Sequence, residues 1–226
     1  IGNTDIDESF KKEFYIPYFA GSGITTYADV LIERRIDKEA YVGICEDVKI
    51  GISLIFHIQN SAAYLKKHWA ANVTETFTSV TLSGLCNEGI ILLPVMKDKS
   101  QEKQQKEDVR NRMMLLSAAK TGDPVAIENL TLDDIDIYSK VSRRLVTEDV
   151  FSIVDTYIMP YGVECDRYSI LGTITAVRKT RNEITEEEIY IMGLDVNDLI
   201  FDICVPVSNV VGEPAVGRRF KGNIWM

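Results

Sequence analysis

Hydrophobic and polar positions alternate most cleanly over Lys49–Gln59. Ile50, Ile52, Leu54, Phe56 and Ile58 fall on one face, and Lys49, Gly51, Ser53, His57 and Gln59 fall on the other. A period of two predicts a half-buried strand of an antiparallel sheet. Val30, Ile32 and Ile36 alternate with Glu33 and Arg35 in the same manner, and Val73–Cys86 is rich in β-branched Thr and Val. Asn87-Glu88-Gly89 predicts a hairpin turn into a further strand over Ile90–Val95. Between these strands, Asn60–Trp69 reads as a short helix with Ser61 as its cap.

The pattern changes at Lys97–Asp108, a run of charged and Gln residues that predicts a solvated linker or the exposed start of a helix. Val109, Met113, Leu116 and Ala119 then recur at helical spacing, with Gly122 as the left-handed stop. Asp123-Pro124 restarts a helix, and Thr131-Leu132-Asp133-Asp134 predicts the cap of a third. Strands return after Phe151, over Ile170–Val177, Glu188–Leu194, Leu199–Val205 and Arg218–Met226. The expected class is therefore α+β: an antiparallel β-rich region over residues 1–96, a helical segment over 97–150, and a small β-barrel-like module over 151–226, packed as one or two domains.

Charge narrows the functions open to this frame. The 25 basic residues against 34 acidic ones give a net charge of −9, which repels phosphate backbones, so general nucleic-acid binding is not expected. The longest apolar runs, Ile50–Phe56 and Ile90–Met96, fall far short of the ~20 residues a bilayer-spanning helix needs. The polar opening Gly2–Lys12 does not resemble a signal peptide, and the chain begins without Met, so a cytoplasmic protein lacking part of its N-terminus is expected. Cys45, Cys86, Cys165 and Cys204 form no Cys-x-x-Cys pair and read as reduced core thiols.

Candidate chemistry is sparse. His57 and His68 lack a metal-ligand neighbour at a helical spacing, and no cofactor is expected. His57 shares a strand face with Ser53, a nucleophile and base in principle, though a solvated face explains both. Gly21-Ser22-Gly23-Ile24-Thr25-Thr26 has the look of a phosphate loop but lacks its Lys and reads as a turn between strands. The acidic groups Glu46-Asp47, Asp133-Asp134-Asp136, Glu148-Asp149 and Glu186-Glu187-Glu188 fit helix starts and solvated turns.

The most suggestive stretch is the last strand. Phe220, Ile224 and Met226 point one way while Arg219, Lys221, Asn223 and Trp225 point the other. Two cations and an indole on one face make Arg219, Lys221 and Trp225 the candidate binding residues, for a planar or anionic ligand or a single nucleic-acid strand. A snorkelling exterior face is the plainer account.

Pro17-Tyr18-Phe19 with the Gly21–Thr26 stretch, Asp47–Phe56, Met159-Pro160-Tyr161-Gly162-Val163-Glu164-Cys165-Asp166 and Arg218-Arg219-Phe220-Lys221-Gly222 together resemble an uncharacterised bacterial family, a domain of unknown function, over nearly the whole chain. That resemblance implies no reaction, cofactor or functional residue. The reading that follows is a non-enzymatic binding or scaffold protein. The alternative is a hydrolase or transferase whose site assembles only in three dimensions, and a homo-oligomer formed through strand edges is a third, structural reading.

Overall fold

The structure, a computed structural model, describes residues 2–4, 10–12, 18–34, 40–47, 52–70, 79–95, 99–145 and 149–226. Twelve strands and four α-helices are described. In chain order they are β1 (Gly2–Thr4), β2 (Phe10–Lys12), β3 (Val30–Arg34), β4 (Tyr41–Asp47), β5 (Ile52–His57), α1 (Ser61–Ala70), β6 (Ser83–Leu92), α2 (Lys99–Lys120), α3 (Pro124–Leu145), α4 (Val150–Ile153), β7 (Tyr157–Pro160), β8 (Arg167–Arg181), β9 (Glu188–Val196), β10 (Leu199–Pro206), β11 (Val210–Val211) and β12 (Arg219–Trp225).

The α+β class holds, and the barrel-like module is a closed barrel. β6, β12, β8, β9 and β10 pair in that order, all antiparallel, and β10 returns to β6 in parallel through Asp202↔Ser83, Ile203↔Gly84 and Cys204↔Leu85. Closure leaves these five strands without a free edge along the paired stretch. Four of them come from the C-terminal region, and the fifth, β6, comes from before α2. Alternation along the expected strand Leu199–Val205 sets the inside: Leu199, Phe201, Ile203 and Val205 are at most 1% exposed. Phe220, Ile224 and Met226 are likewise buried, as their shared face required.

A separate three-stranded sheet, β3-β4-β5, packs on this barrel, and Cys45, Leu54 and Phe56 belong to the same buried cluster as Ile170, Met192 and Phe220. The stretch expected as a strand at Lys49–Gln59 is seen as β5, with residues 48–51 outside the described set. Ile36 of the expected alternation after Val30, and residues 73–78 of the expected Thr/Val strand, also lie outside it.

Three local expectations change. Asn87-Glu88-Gly89 makes no hairpin, because β6 runs unbroken through it as a bulge. Gly222 and Ile224 of β12 pair with Gly89 and Cys86, so β6 spends one extra residue there. The Cys86 thiol donates toward the Glu88 and Asn223 carbonyls, and Asn209 Nδ2 donates to the Asn87 carbonyl at 2.9 Å, which gives the bulge's loose groups partners. Thr131 starts no third helix either. α3 passes straight through it, and the Thr131 hydroxyl donates back to the Ile127 carbonyl. At α1, Asn60 rather than Ser61 sits in the cap position, since its carbonyl accepts from Ala63 and Tyr64.

The helical stop and restart are as expected: Gly122 has φ +86°, and Asp123 Oδ1 accepts from Val125 N at 2.9 Å and from Ala126 N at 3.4 Å. The charged run before Val109 runs into the start of α2, which begins at Lys99, and its described side chains Glu107 and Asp108 are exposed.

The bulge is also what lets the Phe220 ring enter the barrel, lying across Gly89 and Gly222. A Cβ on Gly89 would overlap that ring, which is fully buried and has nowhere to move. We expect Gly89→Ala to lower unfolding stability by about 1–3 kcal/mol in urea denaturation, the cost of an overpacked core. Gly23→Ala, at a site with open space, should cost less and only through its φ of +73°.

Candidate functional site

The outward face of β12 carries Arg219, Lys221, Asn223 and Trp225, as the alternation predicted, and different elements cover each end of it. Arg219 pairs with Leu92 on β6 and Thr173 on β8, and it is 5% exposed. Its Nε donates to the Leu93 carbonyl at 2.9 Å, Nη1 to Val154 at 2.9 Å and Asp155 at 3.4 Å, and Nη2 to Phe151 at 2.7 Å. Leu93 is where the chain leaves the barrel toward the helices, and Phe151–Asp155 is where it returns. Burial lowers the pKa of the guanidinium, with the charge of Asp155 acting against that shift. Arg219 is thus engaged with main-chain carbonyls on both sides of the helical insertion.

Lys221 occupies the middle. Its Nζ lies 4.5 Å from the centre of the Phe151 ring, a cation–π contact, and its stem is half-buried. Across β6 it pairs with Ile90, which in turn pairs in parallel with Val211. Lateral partners in a sheet share a face. Val211, Ile90 and Lys221 therefore form a row on the barrel exterior, with Val211 67% and Ile90 44% exposed.

Trp225 lies at the far end, against the small sheet. Its ring meets His57 edge to face, with centroids 5.0 Å apart at 72°. His57 Nε2 lies 2.8 Å from Asp166 Oδ2, and the indole N–H also hydrogen-bonds the Asp166 side chain. Asp166 is 4% exposed. Burial alone would raise its pKa, but the hydrogen bonds from Trp225 and His57 and the charge of His57 outweigh it and hold the carboxyl below its usual value.

The main chain locks the same seam. His57 N donates to the Met226 carbonyl at 3.1 Å, and Met226 N donates to the Asp166 carbonyl at 3.0 Å. Nearby, the buried Tyr168 hydroxyl accepts from Ile55 N at 2.7 Å. The solvated face expected for His57 is in fact a joint between two sheets, because 109 residues separate it from the acid that claims it.

Ser53 is four residues from His57 along β5, ~13 Å at strand rise, too far for a nucleophile–base hydrogen bond. The Gly21–Thr26 stretch is a strap over the barrel seam. Ser22 N and Oγ donate to Asp202 Oδ2 at 2.8 and 2.6 Å, Thr25 Oγ1 accepts from Leu82 N, and Thr26 bridges Val80. A carboxylate already fills the place where a phosphate would need to sit. Cys86 and Cys204 have pKa values raised to about 11 by burial, so neither is a thiolate nucleophile at neutral pH. Among the described residues no group of three or more His, Cys, Asp or Glu is placed to hold a metal ion, and no helix is long and apolar enough to cross a membrane.

Asp166 is the residue that sequence reasoning left out. It stands in the Glu164-Cys165-Asp166-Arg167 turn before β8 with nothing local to mark it. The only signal was indirect: a lone His on a strand otherwise flanked by small or apolar residues needs a partner if it is covered.

A family described as a domain of unknown function, from an E. rectale gene description (DUF3881), matches residues 1–226, and the chain belongs to it. No curated protein and no solved structure matches the chain.

The Asp166 carboxyl gives two tests. Trp225→Phe keeps the ring against His57 but deletes the donor to a charged acceptor, and should cost about 1.5–3 kcal/mol in chemical denaturation. Because the folded pKa of Asp166 is lowered, its contribution is fully present above the unfolded carboxylate value of ~3.9 and is lost as pH falls through the folded value. The stability advantage of the native chain over Asp166→Asn should therefore be present at about pH 6 and shrink toward about pH 3, as followed by urea unfolding at both pH values.

Proposed function

We propose that this chain is a non-enzymatic binding or scaffold protein whose closed barrel presents a surface for a protein partner around Lys221. The observation that carries this reading is the Val211–Ile90–Lys221 row, two exposed β-branched side chains beside a cation on a rigid barrel wall. Apolar area rimmed by charge suits protein association better than small-molecule capture, which needs concavity. Within the expected trio, Lys221 is the residue in this row. Arg219 and Trp225 support it by fixing the elements at either end of β12.

A second reading, hydrolase or transferase, draws on the His57–Asp166 pair, since a carboxylate can orient an imidazole for proton transfer. The engagement of Asp166 by Trp225, and the distance of Ser53, favour the binding reading.

The test is a pair of surface changes, Ile90→Thr and Lys221→Glu, which keep β propensity and should move stability by less than about 1 kcal/mol. Proteins cross-linked to the native chain through this wall should be lost from the double variant at unchanged thermal midpoint. Retention of every cross-linked partner by the variant would overturn the reading. So would a turnover abolished by His57→Gln and indifferent to Lys221→Glu.

A further inference from the structure

The five-stranded barrel is closed by a seam unlike its other ladders. β10 meets β6 in parallel over three residues of each strand, 202–204 against 83–85, whereas β9 pairs along all eight residues of β10. Parallel pairing is also slightly less stable per residue than antiparallel. Closure therefore rests on the shortest ladder of the barrel. Before Ser83 the chain has not yet joined that ladder, and its polar groups turn to the strap instead. Val80 O accepts from Thr25 N at 2.8 Å, and Val80 N donates to Thr26 O at 2.9 Å. Thr81 Oγ1 donates to the Gly23 carbonyl, Leu82 N to Thr25 Oγ1 at 2.9 Å, and Ser83 Oγ to the Phe19 carbonyl at 2.7 Å.

Across the seam the grip is different. Among the described residues the strap holds β10 through one oxygen, Asp202 Oδ2, which accepts from Ser22 N at 2.8 Å and from Ser22 Oγ at 2.6 Å. Asp202 is the strand partner of Ser83, so the strap crosses the seam at its first rung. Gly21 lets it lie flat there: a Cβ on this residue would stand 2.6 Å from the Leu82 carbonyl oxygen and 3.1 Å from the Ser83 Cβ. Ser22, Gly23 and Ile24 are exposed. The strap is thus bonded along 80–83 on one side and to a single carboxylate on the other.

We infer that residues 19–26 form a releasable clasp over the closing seam, with Ser22 on Asp202 as its catch. When the catch opens, the strap stays with the 80–83 segment, and β10 parts from β6 while its longer pairing with β9 holds. The closed barrel then becomes an open sheet whose free edges are β10 and β6. This opening is a local unit, because the four antiparallel ladders of the barrel remain made.

Hydrogen exchange under native conditions reads such an opening strand by strand. In Asp202→Ala, which removes both bonds of the catch, amides over 202–204 and 83–85 should exchange at least about tenfold faster, while those of β8 and β12 keep their native rates. Ser22→Ala removes the hydroxyl bond alone and should speed the seam by a smaller factor. Added to Asp202→Ala it should change nothing further, because its effect runs through the same carboxylate. A seam that keeps its native exchange rate in Asp202→Ala overturns the inference. So does equal acceleration in β8 and β12, or a double variant in which the two effects add. Ser22→Ala alters one exposed side chain, so its seam rate, faster than native or unchanged, decides the question if Asp202→Ala does not fold.

Discussion

A buried guanidinium must find an acceptor for each of its nitrogens, and in this chain that requirement ties together the place where the barrel ends and the helices begin. Taking an ion of this size out of water costs several kcal/mol, and hydrogen bonds to a charged group return roughly 1.5–3 kcal/mol each. Arg219 meets the requirement with carbonyls from both ends of the helical insertion, Leu93 on the way out and Phe151, Val154 and Asp155 on the way back. A neutral side chain at position 219 would leave those carbonyls without the donors that bring them together. The helical hairpin is thus inserted between two barrel strands at a joint where Arg219 holds both ends.

The same strand holds the opposite end of the molecule by a different device. At Trp225 the buried carboxylate of Asp166 gathers an indole and an imidazole, and main-chain bonds through Met226 carry the three-stranded sheet. β12 therefore has three roles by position. Its inner face fills the barrel with Phe220 and Ile224, its outer ends fasten the accessory elements, and its outer middle, at Lys221, stays beside solvent-exposed apolar side chains. The proposed interaction surface would thus sit on the middle of a strand with rigid flanks, where little ordering is left to oppose association.

Much of this frame was legible in the residues. Strict alternation in Leu199–Val205 and on the last strand predicted which side chains enter the barrel, because burial on one face imposes a period of two. Gly122 and Asp123 predicted the hairpin turn between α2 and α3, since both act locally. What could not be read was non-local. The closure of β10 on β6 in parallel joins segments ~120 residues apart, and parallel pairing carries no turn to announce it.

Asn87-Glu88-Gly89 looked like a hairpin because its residues suit either a turn or a bulge, and only the pairing with Gly222 decides between them. The alternation placed Arg219 outside the barrel correctly but could not show that α4 would cover it. His57 and Asp166 converge from different sheets, and nothing near either residue anticipates the other. The candidate site was therefore half visible: its strand and its outward residues were, and the elements that cover two of them were not.

If β12 fastens the helical insertion to a barrel that stands without it, native-state hydrogen exchange of Arg219→Met shows this most directly. Amides over 150–156 and around Leu93 should lose protection while those of β8, β9 and β10 keep theirs, because the joint opens without melting the barrel. Equal loss of protection across the barrel strands would contradict it, and would mean that Arg219 supports the barrel itself.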